Sequence, residues 1–129
     1  MQTAMNNEKL VSMLNSSPAL KNLNLVCGIE DKKKIIRIDG IEPYHLGGMA
    51  GDSYNGMFIV SMLELAIGLA GIESFMPSKS GVIEMSYKFY RVIPSAIEIY
   101  AQADVIKKSK GICFCSAGIL DFRGREYAG

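Results

Sequence analysis

The chain has 129 residues, 49% of them hydrophobic, and 14 Lys and Arg against 13 Asp and Glu leave a formal net charge of +1. That length suits one domain with its own core over residues 1–129, and the apolar content is too high for a disordered chain. The near-neutral balance excludes a partner recognised by charge alone, nucleic acid above all, and the lysine clusters at 32–34 and 107–110 are too short to argue otherwise.

Residues 1–19 read as an amphipathic helix and its lead-in. Leu10, Val11 and Leu14 share a face, and Ser16-Ser17-Pro18 stops it. No apolar core marks a secretory leader in the first ten residues. "NLNLVCGIE" alternates, "EDKKK" turns, and "IIRID" returns with Ile36 and Ile38 inward, which predicts a hairpin. A glycine-rich loop, "GIEPYHLGGMAGDSYN", carries the only histidine, His45. It leads into a helix over about 56–71, with Asn55 as a fitting N-cap and Asp52 and Ser53 as rivals.

From Met57 to Ile72 the only polar side chains are Ser61 and Glu64. The run is shorter than the roughly 20 residues that cross a bilayer, and it carries a carboxylate, so the expectation is a soluble protein with no membrane partner. A helix apolar nearly all round must be buried on most sides. The remaining segments, "VIEMSYKFYRV", "IEIYAQADV" and "ICFCSAGILDF", alternate or run apolar as strands do, and "YAG" opens a further strand that is either very brief or cut short. An antiparallel sheet must then curl around one long apolar helix. The expected class is α+β, in the architecture known as the hotdog fold.

Cys27, Cys113 and Cys115 are odd in number and spaced neither for zinc nor for a CxxC redox pair. They read as reduced core residues of a cytoplasmic protein, with no metal and no cofactor implied.

The tail of the chain has a strand ending in an aromatic–arginine pair, Tyr90-Arg91, then a charged strand with a lysine-rich turn, then D-x-x-G-x-x-x-A from Asp121 to Ala128. In that pattern, and in its order of elements over about residues 20–129, the chain resembles the hotdog-fold thioesterase superfamily, in particular its phenylacetate-degradation and hydroxybenzoyl-CoA thioesterase branches. In those families a His-Gly-Gly starts the helix, with an Asp or Glu eight residues after the first glycine. Here the stretch is Asn55-Gly56-Met57, and Glu64 lies eight residues after Gly56. The glycine, the carboxylate and their spacing match. Asn55 replaces the His, either as a plain N-cap or as a polar orienter of the substrate in its place, Met57 replaces the second Gly, and Met49 stands where the family often has an Asn.

The resemblance implies hydrolysis of an acyl-CoA or acyl-carrier-protein thioester. Gly56, at the helix N-terminus, would offer its N–H to the thioester carbonyl. Glu64 would activate or deliver the attacking water. Eight helical residues rise about 12 Å, so the two groups cannot meet at one carbonyl within one chain. A homodimer, extending to a tetramer in some arrangements, would form a composite site. Met57, Ser61 and Gly68 share the stripe of Glu64, and His45 and Tyr54 are further candidates for lining the substrate. Lys88, Arg91, Arg123 and Arg125 are candidates for CoA phosphates. The alternatives are a non-catalytic acyl-CoA sensor or carrier, or a hydratase or dehydratase with a His facing Glu64.

Overall fold

The computed structural model describes residues 7–47 and 51–129. Two short helices, α1 (Asn7–Asn15) and α2 (Pro18–Asn22), open the chain. The second arises where the sequence predicts only a stop: Ser17 ends α1 and caps α2, accepting from the Leu20 amide, with Pro18 in the first turn. Strands β1 (Leu25–Glu30) and β2 (Lys33–Ile38) form the expected hairpin. Its two turn residues, Asp31 and Lys32, take positive φ, as a tight two-residue hairpin turn requires.

Helix α3 spans Gly56–Phe75, and β3 (Ile99–Ser109), β4 (Ile112–Asp121) and β5 (Glu126–Ala128) follow. The sheet runs β1-β2-β3-β4-β5, antiparallel throughout. Helix α3 packs across β2, β3 and β4. This is the hotdog arrangement, built because Phe58, Ile59, Met62, Leu63, Ala66 and Leu69 meet Ile36, Ile99, Ala101 and Ile119 in one apolar core. At 20 residues α3 is long and apolar enough to cross a bilayer, but this face is spent on the sheet, so α3 is the core helix of the fold.

Helix α3 passes through Gly68 and Gly71, where the sequence suggests it should end. One local bond and two distant lysines hold its last turn. Ser74 Oγ donates to the Ala70 carbonyl, Lys34 Nζ lies 2.7 Å from Glu73, and Lys108 Nζ donates to the Ser74 carbonyl. Lysine reaches that end because of a bulge: the β3–β4 register shifts between Val105 and Lys107, leaving Ile106 as the extra residue. Beyond it Lys108 faces Cys113 on the helix side and lies 5.1 Å from the centre of the Phe75 ring.

The segment "VIEMSYKFYRV" is not a regular strand. Lys88 and Tyr90 donate to the Gly129 and Tyr127 carbonyls, Gly129 donates back to Lys88, and a single bridge joins Phe89 to Ala128. Upstream, residues 79–87 run without ladder pairing among the described residues. Ile83, Tyr87 and Phe89, which strand alternation would put on one face, are 84%, 49% and 48% exposed.

The D-x-x-G turn works through Asp121. Its Oδ1 accepts from the Arg123 and Arg125 amides at 2.9 and 3.0 Å, and its Oδ2 accepts from the Tyr127 hydroxyl at 2.9 Å. The Arg125 amide first, then the Tyr127 hydroxyl and Arg123, hold this carboxyl below its usual 3.8, against the opposing pull of burial. A depressed folded value stabilises the native state above the unfolded value and is lost as pH falls through the folded one. Asp121→Asn removes that contribution. The stability gap between wild type and variant in urea titrations should therefore be widest at neutral pH and shrink below about pH 4. A gap that is constant with pH would contradict this role.

Candidate functional site

The N-terminus of α3 is fixed by a polar clasp. Asn55 caps the helix, its Oδ1 accepting from the Phe58 amide at 2.8 Å. Its Nδ2 donates to the Tyr44 and Leu46 carbonyls at 2.8 and 3.0 Å, and its own amide donates to the His45 carbonyl. The cap residue therefore ties the helix to the preceding loop.

His45 is fully buried, stacked on Phe58 with ring centroids 4.1 Å apart. Its Nδ1 accepts from the Glu42 amide at 3.0 Å, which leaves the proton on Nε2, 2.8 Å from the Leu23 carbonyl. Both ring nitrogens are thus engaged by backbone. Tyr54 is buried beside Phe58, and burial first, with Glu98 adding, raises its hydroxyl above the usual 10.0. The structure places Asn55, His45 and Tyr54 in the scaffold behind the helix start, away from its open side. Met49 lies outside the described residues.

The open side carries the rest. Ile59 donates to the Asn55 carbonyl and Phe58 to its side chain, while the amides of Gly56 and Met57 have no acceptor among the described residues. Gly56 is exposed, and a Cβ there would sit 3.4 Å from the Phe89 ring. Further along come Met57, 85% exposed, then Ser61, Glu64 and Gly68. Ser61 Oγ donates back to the Met57 carbonyl at 3.0 Å. A Cβ on Gly68 would meet nothing within 4 Å.

Glu64 is exposed, with no hydrogen bond or ion pair among the described residues. The sequence led us to expect a helix buried on most sides. One face is buried, and the stripe of Glu64 is left bare by the chain's own sheet. Gly56 and Glu64 stand about 12 Å apart along α3.

Two features carry no signal of their own in the sequence. One is the Phe89 ring over Gly56, which depends on a contact across 33 positions. The other is a groove of about 410 Å³ between Leu63 and Ile67 of α3, Met85 and Tyr90 of the extended segment, and Cys115 and Ala117 of β4. A smaller cavity of about 190 Å³ lies under the β1–β2 turn beside Lys34 and Glu73. No three His, Cys, Asp or Glu among the described residues are placed to hold a metal ion.

No protein-family model matches this chain, and no curated protein matches it by sequence. Solved structures do. A thioesterase from Haemophilus influenzae superposes with a TM-score of 0.78 at 16% identity, over 98% of this chain and 86% of that one. The E. coli PaaI protein of the phenylacetic acid degradation operon gives 0.72 at 14% identity, over 91% and 82%. Zebrafish thioesterase superfamily member 2 gives 0.73 at 13%, over 99% and 94%. The fold is therefore that of solved thioesterase-superfamily members, PaaI among them.

Proposed function

We propose that the chain is a thioester hydrolase for acyl groups carried by CoA or by an acyl carrier protein, with each site composed from two copies. One observation carries this reading: a solvent-facing, unpaired Glu64 midway along the core helix, on the face its own sheet leaves uncovered, behind an N-terminus with free amides. The Gly56 N–H polarises the thioester carbonyl of one site. Glu64 from the other copy takes a proton from water, whose oxygen attacks the carbonyl carbon. The oxyanion is held by the helix N-terminus, the C–S bond breaks, and the thiol leaves protonated. The roughly 12 Å between Gly56 and Glu64 makes the second copy necessary.

The uncovered stripe of α3 and the exposed Ile83, Tyr87, Phe89, Tyr90 and Val92 give a homodimer surface, since an edge segment with unpaired backbone is a ready template for another chain. Arg91 lies 5.8 Å over the Tyr127 ring, near Arg123 and Arg125 of the adjacent turn, and this group is proposed for CoA phosphates. Three free cysteines fit a reducing compartment, the cytoplasm.

A second reading, a non-catalytic acyl-CoA binder, draws on Asn55. Its donors and acceptor are all used in the clasp, leaving it nothing to offer a substrate. A hydratase reading has no such support, because the one histidine has both nitrogens engaged.

The test is hydrolysis of a panel of acyl- and aryl-CoAs, read by free thiol, followed by subunit mixing. Gly56→Val and Glu64→Gln should each be inactive alone. Co-refolded in equal amounts, they should regain about one quarter of wild-type activity, since half the dimers are mixed and each mixed dimer holds one intact site. Turnover that is never regained would refute the composite site. Saturable acyl-CoA binding without turnover would favour the second reading.

A further inference from the structure

Cys113 and Cys115 are two positions apart on β4 and so point to one face. Their register partners, Lys108 and Val105, put that face on the helix side. The two sulfurs lie 3.7 Å apart and share a hydrogen bond. Both residues are partly exposed, and Cys115 lines the 410 Å³ groove beside Leu63, Ile67 and Met85. The sequence suggests core thiols, which fits Cys27 alone: it is buried, and burial pushes its thiol up to about 11.

Two sulfurs held about 2.3 Å from one centre lie about 3.3–3.8 Å apart as the angle between them opens from a right angle to the tetrahedral one, and the 3.7 Å found here falls in that range. A disulfide suits the pair less well. Two residues of strand separate the α-carbons by about 6.6 Å, at the upper end of the range a disulfide spans. Burial first, then the bond to Cys113, raises the Cys115 thiol to about 11, which keeps it protonated and slow in thiolate chemistry.

We propose that Cys113 and Cys115 form a vicinal-dithiol site for soft, thiophilic centres that bind through two sulfurs, with monosubstituted arsenic(III) as the defining ligand class. The reaction needs no oxidant. An arsonous acid, R–As(OH)2, loses both hydroxyls as two waters, taking up the two thiol protons. Two As–O and two S–H bonds break, two As–S bonds form, and arsenic stays trivalent. Protonated thiols suffice. The groove on the Cys115 side offers room for the organic substituent.

The site stands on the dithiol geometry and is independent of any hydrolase activity. Its test is phenylarsine oxide added to the native, reduced protein, followed by intact-mass measurement. One adduct per chain is expected, stable to a monothiol and removed by a dithiol. Cys27→Ser should keep it. Cys113→Ser and Cys115→Ser, near-isosteric changes whose folding is checked by circular dichroism, should each hold the arsenical at least about a hundredfold more weakly, having lost the second tethered attachment. No adduct on the folded wild type, or an adduct that survives in either single variant, would overturn the proposal.

Discussion

Glu64→Gln should leave the fold intact and lower turnover of any thioester substrate between about 100-fold and 10,000-fold, the range for losing a positioned general base. The variant is a clean test because Glu64 makes no hydrogen bond or ion pair among the described residues. The amide therefore orphans nothing, and melting should be close to wild type. The KM should move little, since the carboxylate acts on water rather than on the carried group. Steady-state kinetics beside thermal melts check both points. An active variant would remove Glu64 from the chemistry. A variant that fails to fold would show that the carboxylate is paired across an assembly.

Asn55→Ala should be the most damaging single change outside the apolar core. It deletes the N-cap bond to Phe58, worth about 1 kcal/mol, and leaves the Tyr44 and Leu46 carbonyls without their donor. Both carbonyls belong to partly open residues, so water recovers some of the loss. We expect a total of about 2–3 kcal/mol, or a fall in Tm of about 10 °C for a chain of this size. Asn55→Asp separates the two roles. It keeps the oxygen that caps the helix and loses the nitrogen that binds the loop. If Asn55 acts only as a cap, the aspartate should melt like wild type. If the clasp matters, it should melt well below wild type, because its second oxygen faces the Tyr44 and Leu46 carbonyls acceptor to acceptor.

The core helix, its asparagine cap, the first hairpin and the long β3–β4 pair were legible because local pattern decides them. Asn55 stands just before an unbroken apolar run, and Ile99 and Ala101 alternate with Tyr100 and Gln102. What failed to show depends on distant partners. The segment around Ile83 has the alternation of a strand, but pairing needs a neighbour, and the described residues give it one only from Lys88 onward. Composition implies a helix buried on most sides, whereas the chain's own sheet covers one face. Within the candidate site, the spacing of Gly56 and Glu64 and the stripe of Met57, Ser61 and Gly68 follow from helical periodicity alone. His45 looks available because only its Nδ1 has a local partner, the Glu42 amide three positions back. Its other partner is the Leu23 carbonyl, 22 positions away.

Ile106 gives the hairpin a tolerance that strands rarely have. Alternation fixes which way each side chain points, so losing one residue ordinarily turns everything beyond it inside out. Here one residue is already in excess. Val105 stands opposite Cys115 and Lys107 opposite Phe114, so the ladder counts correctly only when Ile106 is left out. A chain lacking Ile106 would keep Lys107 outward and Lys108 against the end of α3, whereas removing Gln102 or Asp104 would turn Val105 away from the helix before the ladder recovers at Lys107. The length of β3 is thus open to change at one position and closed at its neighbours, and that position is where homologous hairpins can gain or lose a residue without disturbing the helix.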